Sequence, residues 1–401
     1  MRRTLILILL IAGAHIACAW TNGQLLIWMD ADRASAMQVV ANQFEQDYGI
    51  KVRIETPEKI TDSFPLAAQA GKGPDIVIWP HDKVGEWADG GLIAPIEVTA
   101  AYKEQFYPMA WDAVRHRRQL WGYPISLEAI GLIYNKKLVN GAPPSHLAEL
   151  IPFQQKLKSE HPGMSSILWD YSSPYYSWGI LASGGGYIFG KSGDGYDPRN
   201  VGVATAGAVE ALSEIVHLID VGVLPRMASS GDIPQELMAQ GKLAMMISGP
   251  WDWPNLMKSG IDFGVVPMPG INGKLGKAFI GVEVAYINRS SPNRDLVKEF
   301  VEKYAFTKES LCALDHVKPI GIPAMISLYD ELSRSNPLLG ELKRCTQEGE
   351  VMPNIPQMGR FWTSVATALE VATSGRNSPT AALEEAQRNL LKGVQAGGSR
   401  R

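Results

Sequence analysis

Several tryptophans of this chain stand beside turn residues and not inside periodic runs. Trp79 precedes Pro80, Trp251 follows Gly249-Pro250, and Trp362 follows Phe361. A flat ring can stack on the apolar C–H face of a sugar while carboxylates and amines bond its hydroxyls. Any one tryptophan taken alone is better read as core. As a set, near strand ends that also carry Asp30, Asp32, Arg33, Asp82 and Lys83, and with Glu128, they point to a polar, non-ionic ligand. The same acids suggest a rival chemistry. A glycosidase needs two carboxyls roughly 5–9.5 Å apart, and Glu128 with Asp32 or Asp82 could supply them. Surface acids and a hydrogen-bonding cleft are together the stronger readings.

Other motifs carry less. Gly185 to Ser192 (GGYIFGKS) fits the phosphate-loop pattern, but no strand leads into it and Gly193-Asp194-Gly195 follows where a helix should start. It reads as a chance match in a loop hairpin. The seven histidines show no zinc spacing, so no metal or cofactor is expected. His81, beside Asp82, reads as a hydrogen-bonded loop residue. Asn288-Arg289-Ser290 is a chance sequon, and no nucleophile motif occurs.

The elements that must position these residues follow from periodicity. Leu25 to Trp28, Lys51 to Glu55 and Asp75 to Trp79 read as strands, with helices between them. Strand–helix–strand–helix–strand implies a parallel core sheet that binds ligands at the carboxyl ends of its strands. A second unit starts after Leu132-Ile133-Tyr134-Asn135. It has a strand near 167–169, helices near 205–219 and 232–240, and strands at 243–248 and 263–268. Phe279 to Asn288 reads as one long strand, and helices dominate from Arg294 onward. Two α/β lobes joined by strands near 127–130 and 280–284 would form a cleft able to close by hinge motion.

Arg2-Arg3, the apolar run Thr4 to Ala14 and the small residues Ala17-Cys18-Ala19 have the form of a secretory leader cleaved after Ala19. A lipoprotein acylated at Cys18 is the rival, disfavoured by His15 three places earlier. A formal charge of -3 gives no support to nucleic acid as a partner. Cys312 and Cys345 leave a disulfide and two separate buried thiols equally open.

Longer stretches carry a resemblance. Gly73 to Trp79 (GPDIVIW) with His81-Asp82, Tyr107-Pro108 with Trp111 to Arg115, and Leu132 to Lys136 stand in this order, followed by Gly249 to Trp253 (GPWDW) and Met352 to Met358 (MPNIPQM). With them the chain resembles bacterial periplasmic maltose/maltodextrin-binding proteins from Gln24 to roughly Leu391. The resemblance implies an α/β, two-lobed periplasmic binding protein fold with a hinge and an interlobe cleft for α-linked glucose chains. It further implies delivery to an ABC importer and no catalysis. Together with the strand-end residues, it gives the expected ligand-binding set Asp30, Asp32, Arg33, Asp62, Trp79, Asp82, Lys83 and Glu128 from the first lobe. Ser173, Pro174, Tyr175, Trp251, Met352 and Trp362 come from the second. The lobes would be 20–127 plus 284–331 and 131–279 plus 338–395, with crossings at 128–130, 280–283 and 332–337 and a flexible tail at 396–401.

Departures from the family pattern are concentrated. Lys83 stands for an arginine, Ser173 for a glutamate, Thr61 for an acid, Gly231 for a tyrosine and Ala366 for an arginine. An unmatched buried sugar hydroxyl costs about 1–3 kcal/mol. The expectation is a monomer that reads one glucosyl ring well, binds maltose weakly and prefers trehalose or another small α-glucoside. Glu283, in the second crossing strand, is equally a replacement carboxylate or a surface acid.

Overall fold

The computed structural model describes residues 23–193, 195–229 and 231–398. The expected leader, with Cys18, lies outside the described residues, as do 399–401. The expected tail is shorter than the sequence suggests: the final helix, Pro379–Gly398, carries on past 396. No proline interrupts that run.

Two sheets organise the fold. In the first, Gln24–Trp28, Lys51–Glu55 and Ile76–Pro80 pair in parallel, connected by the helices Ala31–Tyr48 and Ile60–Gln69. Asp30 starts the first helix by accepting the backbone N–H groups of Asp32 and Arg33. Gly49, at φ 68°, ends it in the left-handed region that favours glycine. The sheet order is 322–323, 123–129, 279–287, 76–80, 24–28, 51–55. Phe279–Ile287 inserts antiparallel between Ile76–Pro80 and Tyr123–Ala129, so the sheet is mixed and not parallel throughout. This strand returns from the second half of the fold, and its direction is opposite for that reason.

The second sheet runs 263–266, 131–135, 243–248, 165–168. Tyr123–Ala129 passes through Ile130 directly into Gly131–Asn135, so one extended segment serves both sheets. Leu132, Ile167, Met245 and Ile247 pack on one side with Trp178, Leu212, Phe361 and Leu383. Ile133, Met246 and Val265 belong to the larger core that includes the first sheet, together with Leu339, Leu342 and Cys345. The helix Pro337–Glu348, which carries these last three, touches strands of both sheets.

The ambiguous motifs resolve. Tyr187–Ser192 and Gly195–Gly202 form an antiparallel hairpin, so the phosphate-loop match has no helix after it. Asn288 is buried, donating to Lys72 O and accepting from Ser290 N, which leaves no sequon on the surface. Cys312 and Cys345 are free thiols. Among the described residues, no helix is long and apolar enough to cross a membrane.

Asp75 pins the strand that leads to the site. Its buried carboxylate accepts from Leu26 N (2.8 Å), Ser291 Oγ (2.5 Å) and Asn293 Nδ2 (3.1 Å), joining three segments distant in sequence. Asp75→Ala would strand these donors without water. It is expected to lower the unfolding free energy by about 2–4 kcal/mol, measured by urea unfolding. A loss within experimental error would show that the network is dispensable.

Candidate functional site

Where the first sheet's parallel strands end, the chain leaves a cavity of about 250 Å³. Asp30, Asp32 and Arg33 line it from the start of the first helix, and Ile78, Trp79 and Pro80 from the third strand. Glu128 and Glu283 reach it from the two antiparallel strands, Trp251 from the second lobe, and Lys318 from the segment after the helix Lys308–Val317.

Arg33 organises the acidic wall. Its Nη2 donates to Glu128 Oε1 (3.3 Å) and Pro319 O (2.8 Å), Nε donates to Lys318 O (3.5 Å), and Nη1 lies 3.7 Å from Asp30 Oδ2. Burial opposes the charge on this guanidinium, and the carboxylates of Glu128, Glu283 and Asp30 outweigh it. Lys318 pairs with Asp32. Burial pushes the Glu128 carboxyl up, and Arg33 holds it back. Burial pushes Glu283 much further, Glu128 adds to the rise, and Arg33 only partly offsets it.

The opposite wall is aromatic. Trp251 sits on the short turn Pro250–Asp252, where Asp252 accepts from Ser248 Oγ (2.5 Å) and Gln235 Nε2 (2.8 Å). Gly249 is required there: a Cβ would meet the Trp251 ring at 2.3 Å. Tyr175 lies 6.3 Å from Trp251 and 6.5 Å from Phe279, centroid to centroid. Burial, with Glu128 next in weight, holds its phenol well above the usual range, so the hydroxyl keeps its proton.

Asp82 and Trp362 bridge the two walls, the indole Nε1 donating to Asp82 Oδ2 at 3.1 Å. His81 holds this corner. Its Nδ1 accepts from Val282 N (2.9 Å), which places the ring proton on Nε2, where it donates to Met352 O (2.9 Å). Burial lowers the imidazole to about 4, so it is neutral and structural, as its sequence context suggests.

The residues singled out from the sequence thus fall into groups. Asp30, Asp32, Arg33, Trp79, Glu128 and Trp251 line one cavity. Asp82, Tyr175, Met352 and Trp362 stand beside it, bonded or packed among themselves and their neighbours. Ser173 and Pro174 start the helix Pro174–Ser183 that carries Tyr175. Lys83 turns to Glu86 at 3.3 Å and is not in the cavity lining. Asp62 is exposed on the helix Ile60–Gln69 and also stands outside the lining, because that helix turns this position to solvent. Glu283 lines the cavity and is not a surface acid. Lys318 was not anticipated; no spacing pattern links it to Asp32, 286 residues away.

Two α/β lobes with rings facing acids across a cavity at the strand ends have the build of a protein that encloses a small polar solute. Residues 30–310 match the bacterial extracellular solute-binding proteins, and the chain belongs to that family. It is 28% identical over 387 residues to a galactooligosaccharide-binding protein of Bacillus subtilis, covering 94% of this chain and 90% of the relative. It is 27% identical to a maltotriose-binding protein of Pyrococcus abyssi, covering 93% and 83%. A maltooligosaccharide ABC transporter solute-binding lipoprotein of Streptococcus pneumoniae is 25% identical, covering 90% and 87%. The family and these relatives are binding proteins, so this chain is a binding protein and not an enzyme. The glycosidase reading of Glu128 with Asp32 or Asp82 finds no support among them.

Burial raises the Asp82 carboxyl to about 6, with Lys83 and the Trp362 N–H opposing. A carboxyl raised in the folded state binds its proton more tightly there than in the unfolded chain. Its contribution to stability therefore falls as pH climbs from about 4 to about 6. Asp82→Asn removes the charge and keeps an acceptor for Trp362. Near pH 7.5 the ligand-free variant is expected to exceed the parent in stability by roughly 1–3 kcal/mol, with the gap closing toward pH 4. Chemical unfolding at both pH values checks this; a gap independent of pH would refute it.

Proposed function

We propose that the chain is exported by a leader cleaved after Ala19 and acts outside the cytoplasm, in the periplasm. There, as a monomer, it would capture a small maltose-like α-glucoside and deliver it to the membrane permease of an ABC importer. The observation that carries this reading is the cavity itself: the rings of Trp79 and Trp251 beside a wall of Asp30, Asp32 and Glu128. Indoles suit the apolar C–H face of a pyranose, and carboxylates suit the hydroxyls at its edge. The relatives named for maltotriose and maltooligosaccharides support the α-glucoside, while the one named for galactooligosaccharides broadens the panel to be tested.

In this reading the lobes are 20–127 plus 284–331 and 131–279 plus 338–395, hinged at 128–130, 280–283 and 332–337. Closure would hold Tyr175, with Ser173 and Pro174 at the head of its helix, and Met352 and Trp362, which already meet the His81-Asp82 corner, around the bound sugar. Ligand stabilises the closed arrangement by its differential affinity for it. Asp82 already accepts the Trp362 indole, so a second sugar ring entering there must share or displace that bond. Lys83 and Asp62 would contribute only after turning toward the cleft. A preference for a short saccharide follows from these constraints.

Thermal unfolding with maltose, maltotriose, trehalose, sucrose, glucosylglycerol and a galactooligosaccharide tests the proposal. A sugar at 100 times its dissociation constant adds about 2.7 kcal/mol, a shift of several degrees that Trp251→Ala should abolish. If no sugar raises the melting temperature and only non-carbohydrates do, the reading is wrong.

A further inference from the structure

We propose that Glu283 is a ligand-binding residue that sets which sugar the cavity accepts, its carboxyl reading hydroxyls of the ring held by Glu128. The inference rests on the sugar-binding reading above and adds to it a residue and a rule of selection.

The strand register makes the first part of the case. Gly281 stands opposite Glu128, and Glu283 opposite Ser126. Directly paired residues share a face of the sheet, and so do positions two apart on one strand. Glu128, Ser126, Gly281 and Glu283 therefore present one continuous surface, and both glutamates line the cavity. Gly281 puts no side chain of its own between the two glutamates; the Met352 methyl packs over it, 3.4 Å from where a Cβ would stand.

Charge pairing makes the second part. Asp32 has Lys318, Asp30 has Arg33, and Glu128 has Arg33. The guanidinium is spent on those acids and on the carbonyls of Lys318 and Pro319. Among the described residues, no donor lies within hydrogen-bonding distance of the Glu283 carboxyl. Across the strand pair Ser126 is 1% exposed, its buried hydroxyl also lacks a partner, and it stands outside the cavity lining. A carboxyl without a donor and a buried hydroxyl without a bond both cost stability in the empty protein. Hydroxyls of a bound ring would satisfy the Glu283 carboxyl, which lines the cavity.

The chemistry implies selectivity. A carboxyl can hold two neighbouring hydroxyls, so Glu128 and Glu283 would read adjacent edges of one pyranose. An epimer or deoxy sugar that presents no hydroxyl to Glu283 leaves it unpaired, which is worth about ten- to a hundredfold in affinity.

Glu283→Leu and Glu283→Gln, titrated calorimetrically with maltose, trehalose and whichever panel sugar binds the parent most tightly, provide the test. The leucine variant is expected to lose about ten- to a hundredfold in affinity and its discrimination between the best sugar and an epimer. Its ligand-free melting temperature should be unchanged or higher, because an unpaired carboxyl has been removed. A lower ligand-free melting temperature with unchanged affinity would assign Glu283 a purely structural role and overturn the proposal. Equal affinity in a stable variant would overturn it too. Should Glu283→Leu fail to fold, Glu283→Gln carries the same comparison at nearly constant shape. If the parent itself binds no sugar, the sugar reading fails first and this proposal falls with it.

Discussion

The arrangement of the site depends on one buried guanidinium. Arg33 ties together the start of the first helix, the strand that joins the two sheets, and the segment at Lys318 and Pro319. These pieces come from three distant parts of the chain, and each presents a carboxylate or carbonyl to the same fork of donors. Without that cation, Asp30 and Glu128 would share the cavity wall with Glu283 and no guanidinium between them, and like charges so placed repel. With it, Asp30 and Glu128 each have a cation partner at the cavity wall.

The same economy of construction appears in the walls. Tyr123–Ala129 runs on into the second sheet, and Phe279–Ile287 comes back from it, so the site lies at the place where the lobes are joined. His81, neutral and buried, fastens the corner of the third strand to Val282 and to Met352. Asp82 is thereby set within reach of Trp362. Elements that fix the backbone are adjacent to the groups proposed to hold the solute, which allows a small ligand to influence the joint between lobes. Its effect is limited to the difference in free energy between its contacts in the two arrangements.

Much of the fold was legible before any coordinates. Alternation placed the strands at 25–28, 51–55 and 243–248 within a residue or two, because a half-buried or fully buried strand leaves a short apolar signature. The antiparallel insertion of Phe279–Ile287 was not legible, since pairing direction depends on where the chain comes from. Part of the site was legible through turn residues beside tryptophans and acids at strand ends. Asp62 and Lys83 show the limit of that method. A position can match by order along the chain while its helix points it to solvent or a neighbouring Glu86 captures it.

Composition, the N-terminal run and the spacing of apolar residues by themselves determined the class of fold, the candidate rings and acids, and the absence of a nucleophile or metal motif. Only the tertiary structure decided which carboxylates are paired. It gave Lys318 to Asp32 and Arg33 to Glu128, and it left Glu283 facing the cavity without a donor. The reason is physical: secondary structure follows periodicities of two and 3.6 residues that a sequence displays directly. A charge finds its partner across hundreds of residues through packing, and no local pattern records that choice.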